Sequence, residues 1–347
     1  PSNDIDVFAH DLGFIAIIDG DGKITGYNVT VGGGMGMTHG EPDTYPRTAD
    51  VLGYCEKEQV IPVAEAILTI QRDWGDRSNR KHARMKYTVE DRGLDAIREE
   101  TEKRSGVKLG PPKFYHFDST GDRIGWVEGE DGSHHLTLFI ENGRVKDLSG
   151  KQLMTGLREI AKIHKGEFRC TTNQNVVIAN VPPEERPAIE KLVAQYGLDS
   201  DISGLRRNSM ACVALPTCGL ALAESERYLP ALIDALDEKL ALYGLSDEDI
   251  VIRMTGCPNG CARPYIAEIA LTGRAPGKYN LYLGGGFHGQ RLNKMLLENV
   301  GESKILATLE RLIAHYARER QDGERFGDFT IRAGYVPEVK EGRHFND

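Results

Sequence analysis

Four of the six cysteines lie in two short segments, and their thiols are the groups in this chain best suited to binding a metal. The first segment contains Cys212 and Cys218, and the second contains Cys257 and Cys261. Four thiolates that converge from two loops can bind either an iron–sulfur cluster or a structural zinc ion. The cysteine spacing therefore predicts a metal centre at these two loops.

The residues around the cysteines favour a cluster over zinc. The spacer 213–217, Val-Ala-Leu-Pro-Thr, is longer and more apolar than the spacers of roughly two to four residues found in compact zinc sites. Gly256 and Gly260 let the second loop approach closely, so that backbone N–H groups can point at sulfur. We expect a [4Fe–4S] cluster in a dry pocket, with structural zinc and unliganded core cysteines as the alternatives.

Length and charge restrict the class of protein. A chain of 347 residues can form two or three domains, and no stretch reaches the roughly 18 uncharged apolar residues of a membrane span. The formal net charge is −9 and the basic residues are scattered, which excludes a broad nucleic-acid surface. Cys55 and Cys170 lie far from the two pairs, so we expect a reducing cytoplasm rather than a secreted disulfide framework.

Two stretches of the sequence repeat one pattern. Residues 14–36 and 265–289 each begin with an apolar β-type run, turn, and return through a Tyr-Asn strand into a triple glycine. Neither triple glycine has the arrangement of a dinucleotide-binding fingerprint, so a nicotinamide site is not predicted. The repetition predicts two related modules.

The segment between the repeats has a different pattern. Apolar spacing predicts a strand, a helix, a pair of strands and a second helix, over 136–140, 153–165, 168–172 with 175–181, and 183–196. This succession is typical of half a ferredoxin-like sandwich. Further along, a helix is predicted over 219–243, kinked or divided at Pro230, and a buried strand over 250–254 leads into Cys257.

The cysteine segments resemble the cluster signature of the siroheme-containing sulfite and nitrite reductases. The likeness lies in Thr255-Gly-Cys-Pro-Asn-Gly-Cys261 and in Asn208-Ser-Met-Ala-Cys212, followed after five residues by Cys218. Supporting stretches occupy 3–6, 32–34, 71–75, 79–81, 160–166, 168–175, 275–277 and 327–329. Within this family, the hemoproteins that reduce sulfite are the branch that the chain resembles most.

The resemblance implies an α+β fold in which two related siroheme- and [4Fe–4S]-binding α/β modules flank a ferredoxin-like half-domain. The expected boundaries are 1–120 for the first module, 121–195 for the half-domain and 196–347 for the second module. A first ferredoxin-like half would precede Pro1 in the family. We therefore expect the chain to be the C-terminal portion of a longer subunit, with an incomplete substrate pocket and doubtful activity when alone.

The resemblance also implies two cofactors, a [4Fe–4S] cluster and siroheme. Cys212, Cys218, Cys257 and Cys261 would bind the cluster, and Cys261 would in addition be the catalytic axial ligand of the siroheme iron. The implied reaction is the six-electron reduction of sulfite to hydrogen sulfide in sulfur assimilation for cysteine biosynthesis. A flavoprotein reductase or a ferredoxin would supply the electrons.

Siroheme carries many carboxylates and therefore needs matching cations and amides. The candidates are Arg80, Lys81, Lys86, Arg169, Asn173, Gln174 and Asn175. A surface ion pair or a turn is the alternative role for each. Two alternatives to sulfite reduction remain at this point, nitrite reduction on the same cofactors and a non-catalytic zinc-binding scaffold.

Overall fold

The computed structural model describes residues 2–199 and 202–347, and it confirms the predicted α+β fold class. Two modules with mixed sheets and helices flank a smaller sandwich. Within the described ranges, no helix combines the length with the apolar character that a bilayer crossing requires. The described residues form three sheets of three to five strands and two further sheets of two strands each, and their strands and helices are given in order below.

The first module is an antiparallel three-stranded sheet covered by helices. After a short strand β1 (Ser2–Asn3), its elements are β2 (Leu12–Ile18), β3 (Ile24–Val31), β4 (Asp50–Glu56), α1 (Val60–Trp74), α2 (Met85–Arg92) and α3 (Leu94–Ser105). The central strand β3 buries Val29 and Val31, which pack in one cluster with Ile67 and Ile70 of α1. This apolar layer between sheet and helix is the core of the module.

The middle unit is an antiparallel sheet with the strand order β10-β11-β7-β6 and two helices. Its elements are β5 (Ser119–Thr120), β6 (Gly125–Glu128), β7 (His134–Leu138), β8 (Asp147–Leu148), β9 (Lys151–Gln152), α4 (Leu153–Ile163), β10 (Glu167–Cys170), β11 (Val176–Val181) and α5 (Arg186–Gln195). Ile160 of α4 and Ile189 of α5 are buried with Ile178 of β11. The predicted succession of strand, helix, strand pair and helix is confirmed.

The last module contains a five-stranded sheet with the order β12-β13-β14-β15-β16. Its elements are α6 (Gly204–Arg207), β12 (Ser209–Ala211), α7 (Leu229–Leu242), β13 (Ile252–Thr255), β14 (Ile269–Ala275), β15 (Lys278–Leu283), β16 (Lys294–Val300), α8 (Glu302–Glu319) and α9 (Phe326–Arg332). The first three strands are parallel and the last two pairings are antiparallel. Residues such as Leu232 of α7, Leu271 of β14 and Leu309 of α8 are completely buried in the cluster between sheet and helices.

The helix predicted over 219–243 begins only at Leu229, so the prediction is wrong for residues 219–228. Pro230 stands in the first turn of α7, where its missing N–H interrupts no helical hydrogen bond. The N–H groups of Leu222 and Ala223 instead donate to the carbonyl of Gly256, at 2.7 and 3.1 Å. Pairing with the second cysteine loop therefore replaces helical hydrogen bonding in this segment.

The sequence repeat corresponds to a structural repeat. In each copy an antiparallel hairpin, β2–β3 or β14–β15, leads directly into the triple glycine. The first glycine of each triplet has positive φ, 80° at Gly32 and 92° at Gly284. A Cβ on the second would lie 2.3 Å from a carbonyl oxygen at Gly33 and 2.2 Å from one at Gly285. Glycine is required at equivalent positions of the two modules for the same two reasons.

Candidate metal centre

Parallel pairing of two strands brings the two cysteine segments together. Cys212 directly follows β12, and Cys257 lies two residues beyond the end of β13. These strands are parallel neighbours, with Ala211 opposite Met254, and the N–H of Cys212 donates to the carbonyl of Met254 at 3.1 Å. Because the carboxyl ends of parallel strands meet at one edge of a sheet, both cysteine segments begin at the same edge.

Backbone hydrogen bonds join the two segments around Gly256. Its carbonyl accepts from the N–H groups of Leu222 and Ala223, which follow Cys218, and its N–H donates to Sγ of Cys212 at 3.3 Å. A Cβ at Gly256 would lie 2.6 Å from the carbonyl oxygen of Ala223, so this close approach requires glycine. An N–H group that points at sulfur stabilises the thiolate form that binds metals.

The four thiols lie close enough to influence one another electrostatically. Partial desolvation raises the pKa of Cys257 and of Cys261, and the negative charge of ionised Cys212 and Cys218 also raises both. Cys257 is buried and Cys261 is exposed, whereas the other two are intermediate. In residues 2–199 and 202–347, no three His, Cys, Asp or Glu side chains are spaced to hold a single metal ion. The donor set of four mutually repelling thiols fits a cationic iron–sulfur cluster, which removes the repulsion that disfavours the thiolates.

The glycine-rich loop of the first module forms one wall of this centre. The N–H of Met37 donates to the carbonyl of Pro258 at 3.0 Å. Gly260 has a φ of 70°, and a Cβ there would lie 2.9 Å from the carbonyl oxygen of Met35. The second cysteine loop is thus packed between its own sheet and residues 35–37 of the other module.

Two cations contact the same glycine loop. Nζ of Lys86 is completely buried and donates to carbonyls in that loop, to Gly36 at 2.7 Å and to Gly34 at 3.3 Å, and also to Tyr45. Burial, together with the nearby Arg84, lowers the pKa of Lys86 to about 7, although Asp11 raises it. A buried ammonium with this pKa can both carry positive charge and release a proton near neutral pH.

Arg84 was not among the sequence candidates. Its guanidinium is half-exposed, pairs with Asp11 at 2.6 Å, and lies against Gly34, where a Cβ would be 3.0 Å from Cζ. Its position in the same basic run as Lys81 and Lys86 is the signal that could have identified it.

The other predicted cations lie on exposed surfaces. Arg80 and Lys81 are exposed on a 3₁₀ turn, and Lys81 pairs with Glu41. Arg169 is exposed on β10, where it pairs with Glu167 at 2.8 Å. Of the four predicted cations, the structure therefore places one, Lys86, at the glycine-rich loop of the first module.

The predicted amides donate to other groups of the protein itself. The side chains of Asn173 and Asn175 donate to Asp122, at 3.0 and 2.8 Å. That of Gln174 donates to the carbonyl of Ala211 at 2.8 Å, directly before Cys212. In this structure the amides fix the loop that supports the first cysteine segment.

Two paired modules with four cysteines at their junction are typical of proteins that bind an iron–sulfur cluster. The nitrite and sulphite reductase 4Fe-4S domain matches residues 1–109 and 204–341, and the nitrite/sulfite reductase ferredoxin-like half domain matches residues 127–196. The chain belongs to the nitrite and sulphite reductase 4Fe-4S domain family. The predicted boundaries at 120 and 195, and the assignments of individual site residues, stay predictions.

Similar proteins are longer than this chain. The sulfite reductase [NADPH] hemoprotein beta-component of Afipia carboxidovorans is 64% identical over 349 residues, which cover 100% of this chain and 60% of that protein. The protein of the same name from Methylobacterium nodulans is 62% identical over 100% of this chain and 58% of its own length. The structure of Mycobacterium tuberculosis NirA superposes with a TM-score of 0.79 at 25% identity, covering 96% of this chain and 62% of that one. The chain thus spans about 60% of the length of these curated relatives.

Proposed function

We propose that this chain is the part of a sulfite reductase hemoprotein that binds a [4Fe–4S] cluster and siroheme. The observation that carries the proposal is the meeting of two cysteine loops at one sheet edge, against the glycine loop of the paired module. The names of the relatives supply the substrate, sulfite. Such an enzyme reduces sulfite to sulfide with six electrons.

The four cysteines would hold the cluster, and the exposed Cys261 would also ligate the siroheme iron. Bound there, the coupled cofactors supply electrons one at a time, which amino-acid side chains cannot do. The protein orients the thiolates through backbone N–H groups such as that of Gly256. In the spacer between Cys212 and Cys218, Ala214 is buried and lies against Gly256, so it would shield this side of the cluster from water.

Cations at the glycine loop would neutralise the anionic substrate and the carboxylates of siroheme. Arg84 presents a half-exposed guanidinium there, and the buried Nζ of Lys86 donates to carbonyls of the loop and has a pKa of about 7. Sulfite reduction consumes protons, and Nζ of Lys86 can release one near neutral pH. The segment by which the relatives exceed this chain would contribute further cations to the same pocket.

The electron donor would be a flavoprotein component, because the relatives are named as the beta-components of NADPH-dependent enzymes. A ferredoxin is the alternative donor. We place the protein in the cytoplasm, where its cysteines remain free thiols available to metal. Neither the nitrite-reducing nor the zinc-scaffold alternative is favoured by the comparisons.

Metal analysis and turnover of the full-length gene product test the proposal. We expect iron and acid-labile sulfide, the absorption bands of siroheme, and a higher kcat/KM for sulfite than for nitrite with a reduced dye as donor. A colourless protein that contains zinc without iron would exclude the redox function. A much higher efficiency with nitrite would instead assign the site to nitrite reduction.

A further inference from the structure

A buried carboxylate lies beneath the second cysteine loop. Asp6 is only 2% exposed, and its two oxygens accept from Arg253, Nη2 at 3.0 Å and Nη1 at 2.7 Å. Nε of Arg263 donates to the same carboxylate. Burial opposes ionisation, but the two arginines lower the pKa of Asp6 to about 2. The carboxylate is therefore charged at any working pH and cannot act as a pH switch.

The two arginines connect this carboxylate to the cysteine loop. Arg253 belongs to β13, the strand that leads to Cys257, and its Nη1 also donates to the carbonyl of Arg263 at 3.3 Å. Arg263 lies two residues after Cys261 and has a φ of 51°, a conformation uncommon for residues other than glycine. The ion pairs with Asp6 hold this strained residue and so fix the exit of the loop from Cys261.

Arg263 also ties the three parts of the chain together at this point. Its Nη2 donates to the carbonyl of Thr172 in the middle unit at 3.0 Å and approaches Sδ of Met210 at 3.5 Å. Asp6 comes from the first module and Arg253 from the last. The segment that carries Cys261 is therefore held against all three units of the chain.

The triad of Asp6, Arg253 and Arg263 carries two positive charges and one negative charge. Arg253 is 5% exposed and the side chain of Arg263 is 17% exposed, so solvent screens these charges weakly. Reducing an iron–sulfur cluster adds one negative charge to it. Nearby buried charge changes the free energy of that step, and cations favour the reduced form.

We propose that Asp6 is a positioning residue that, through Arg253 and Arg263, holds the Cys261 segment and sets the reduction potential of the centre bound there. This inference rests on the proposed function. The carboxylate fixes the two cations in place and partly offsets their charge. Removing the carboxylate and removing a cation therefore act on the potential with opposite signs.

Potentiometry of the purified full-length holoprotein, followed by EPR of the reduced cluster, tests this inference. We expect Asp6→Asn to shift the midpoint potential of the cluster to more positive values and Arg263→Gln to shift it to more negative values. Arg263→Lys keeps the charge and should stay within error of wild type. Glu102→Gln is the matched control, because Glu102 of α3 is a largely buried carboxylate, 11% exposed, that accepts from Arg98 and from the N–H of Leu109. It should leave the potential unchanged.

Shifts of the same sign in Asp6→Asn and Arg263→Gln, or wild-type potentials in both, would overturn the inference. If the Asp6→Asn protein retains no cluster, the midpoint potentials of Arg263→Gln and Arg263→Lys test the inference instead. A shift in Arg263→Lys as large as that in Arg263→Gln shows a purely structural role and overturns the inference, whereas a shift in Arg263→Gln alone supports it. Absence of a cluster from the wild-type protein would instead refute the proposed function.

Discussion

Cys261 differs from the other three cysteines of the centre in its exposure. Cys257 is buried against its own sheet, whereas Cys261 is exposed on the same loop. A thiolate that only holds a cluster needs no open side, but a thiolate that also ligates a second iron does. Its exposure therefore supports the assignment of Cys261, among the four cysteines, as the shared ligand.

Replacing Cys261 by serine is expected to abolish the coupling between cluster and siroheme, because a hydroxyl is a poor ligand for iron. The optical and EPR spectra of the full-length protein measure this coupling. Cys170→Ser is the matched control, since Cys170 is an exposed cysteine on β10 of the middle unit. Wild-type spectra in Cys261→Ser would show that the axial assignment is wrong.

The same change, lysine to methionine, made at Lys86 and at Lys81, tests the substrate-binding role of the basic run. Lys86→Met keeps most of the buried volume but removes the charge at the glycine loop, and we expect kcat/KM for sulfite to fall about 100-fold. Lys81→Met removes an exposed cation that pairs with Glu41, and it should change kcat/KM by less than about twofold. Steady-state kinetics with sulfite measure both. Equal effects of the two substitutions would contradict a specific role for Lys86.

At the scale of the secondary-structure element, the two cysteine loops meet through a close backbone contact at Gly256. A Cβ added at Gly256 would lie 2.6 Å from Cβ of Ala214 and 2.6 Å from the carbonyl oxygen of Ala223. Gly219, just after Cys218, has nothing within 4 Å of its Cβ position. The two glycines therefore give a matched pair that separates steric requirement from loop flexibility.

We expect Gly256→Ala to separate the two loops and to cost about 1–3 kcal/mol of stability. The iron content of the purified full-length protein and its urea denaturation midpoint measure these effects. Gly219→Ala should retain both values. A Gly256→Ala protein with full iron content and unchanged midpoint would show that the loops tolerate a larger separation.

Over the whole molecule, a buried carboxylate joins the last helix to the sheet. Glu268 is completely buried, and it accepts from the N–H groups of Val251 at 2.9 Å and Gly327 at 2.8 Å. Burial raises the pKa of Glu268 to about 7, although both hydrogen bonds lower it. In the unfolded chain a glutamate titrates near pH 4.5. The folded protein therefore holds this proton more tightly than the unfolded chain does.

This difference makes stability depend on pH. Below about pH 4.5 the carboxyl is protonated in both states and adds no penalty, and stability is lost as the pH rises to about 7, by about 3 kcal/mol. Glu268→Gln removes the titration, so its free energy of unfolding should fall less over this interval. Urea unfolding at a series of pH values measures the difference. Parallel pH profiles for the two proteins would show that Glu268 does not titrate in this range.

Local patterns predicted the elements well wherever the hydrogen bonds are also local. The strand pair at β10 and β11 and the helix α4 follow from apolar periodicity, and the repeated hairpins follow from the Tyr-Asn and triple-glycine pattern. The helix predicted over 219–228 is absent, because Leu222 and Ala223 bond to Gly256, which lies more than 30 residues away in sequence. Periodicity carries no information about such partners.

The sequence by itself identified the four cysteines as candidate ligands, the duplication and the family, because these depend on residue types at short spacing. Only the tertiary structure decided which charges stand at that centre. It buried Lys86 against the glycine loop, paired Arg169 with Glu167 on the surface, and buried Asp6 against Arg253 and Arg263. Asp6 is 247 and 257 residues from these two partners, and charge pairing over such separations follows from packing, which no local pattern specifies.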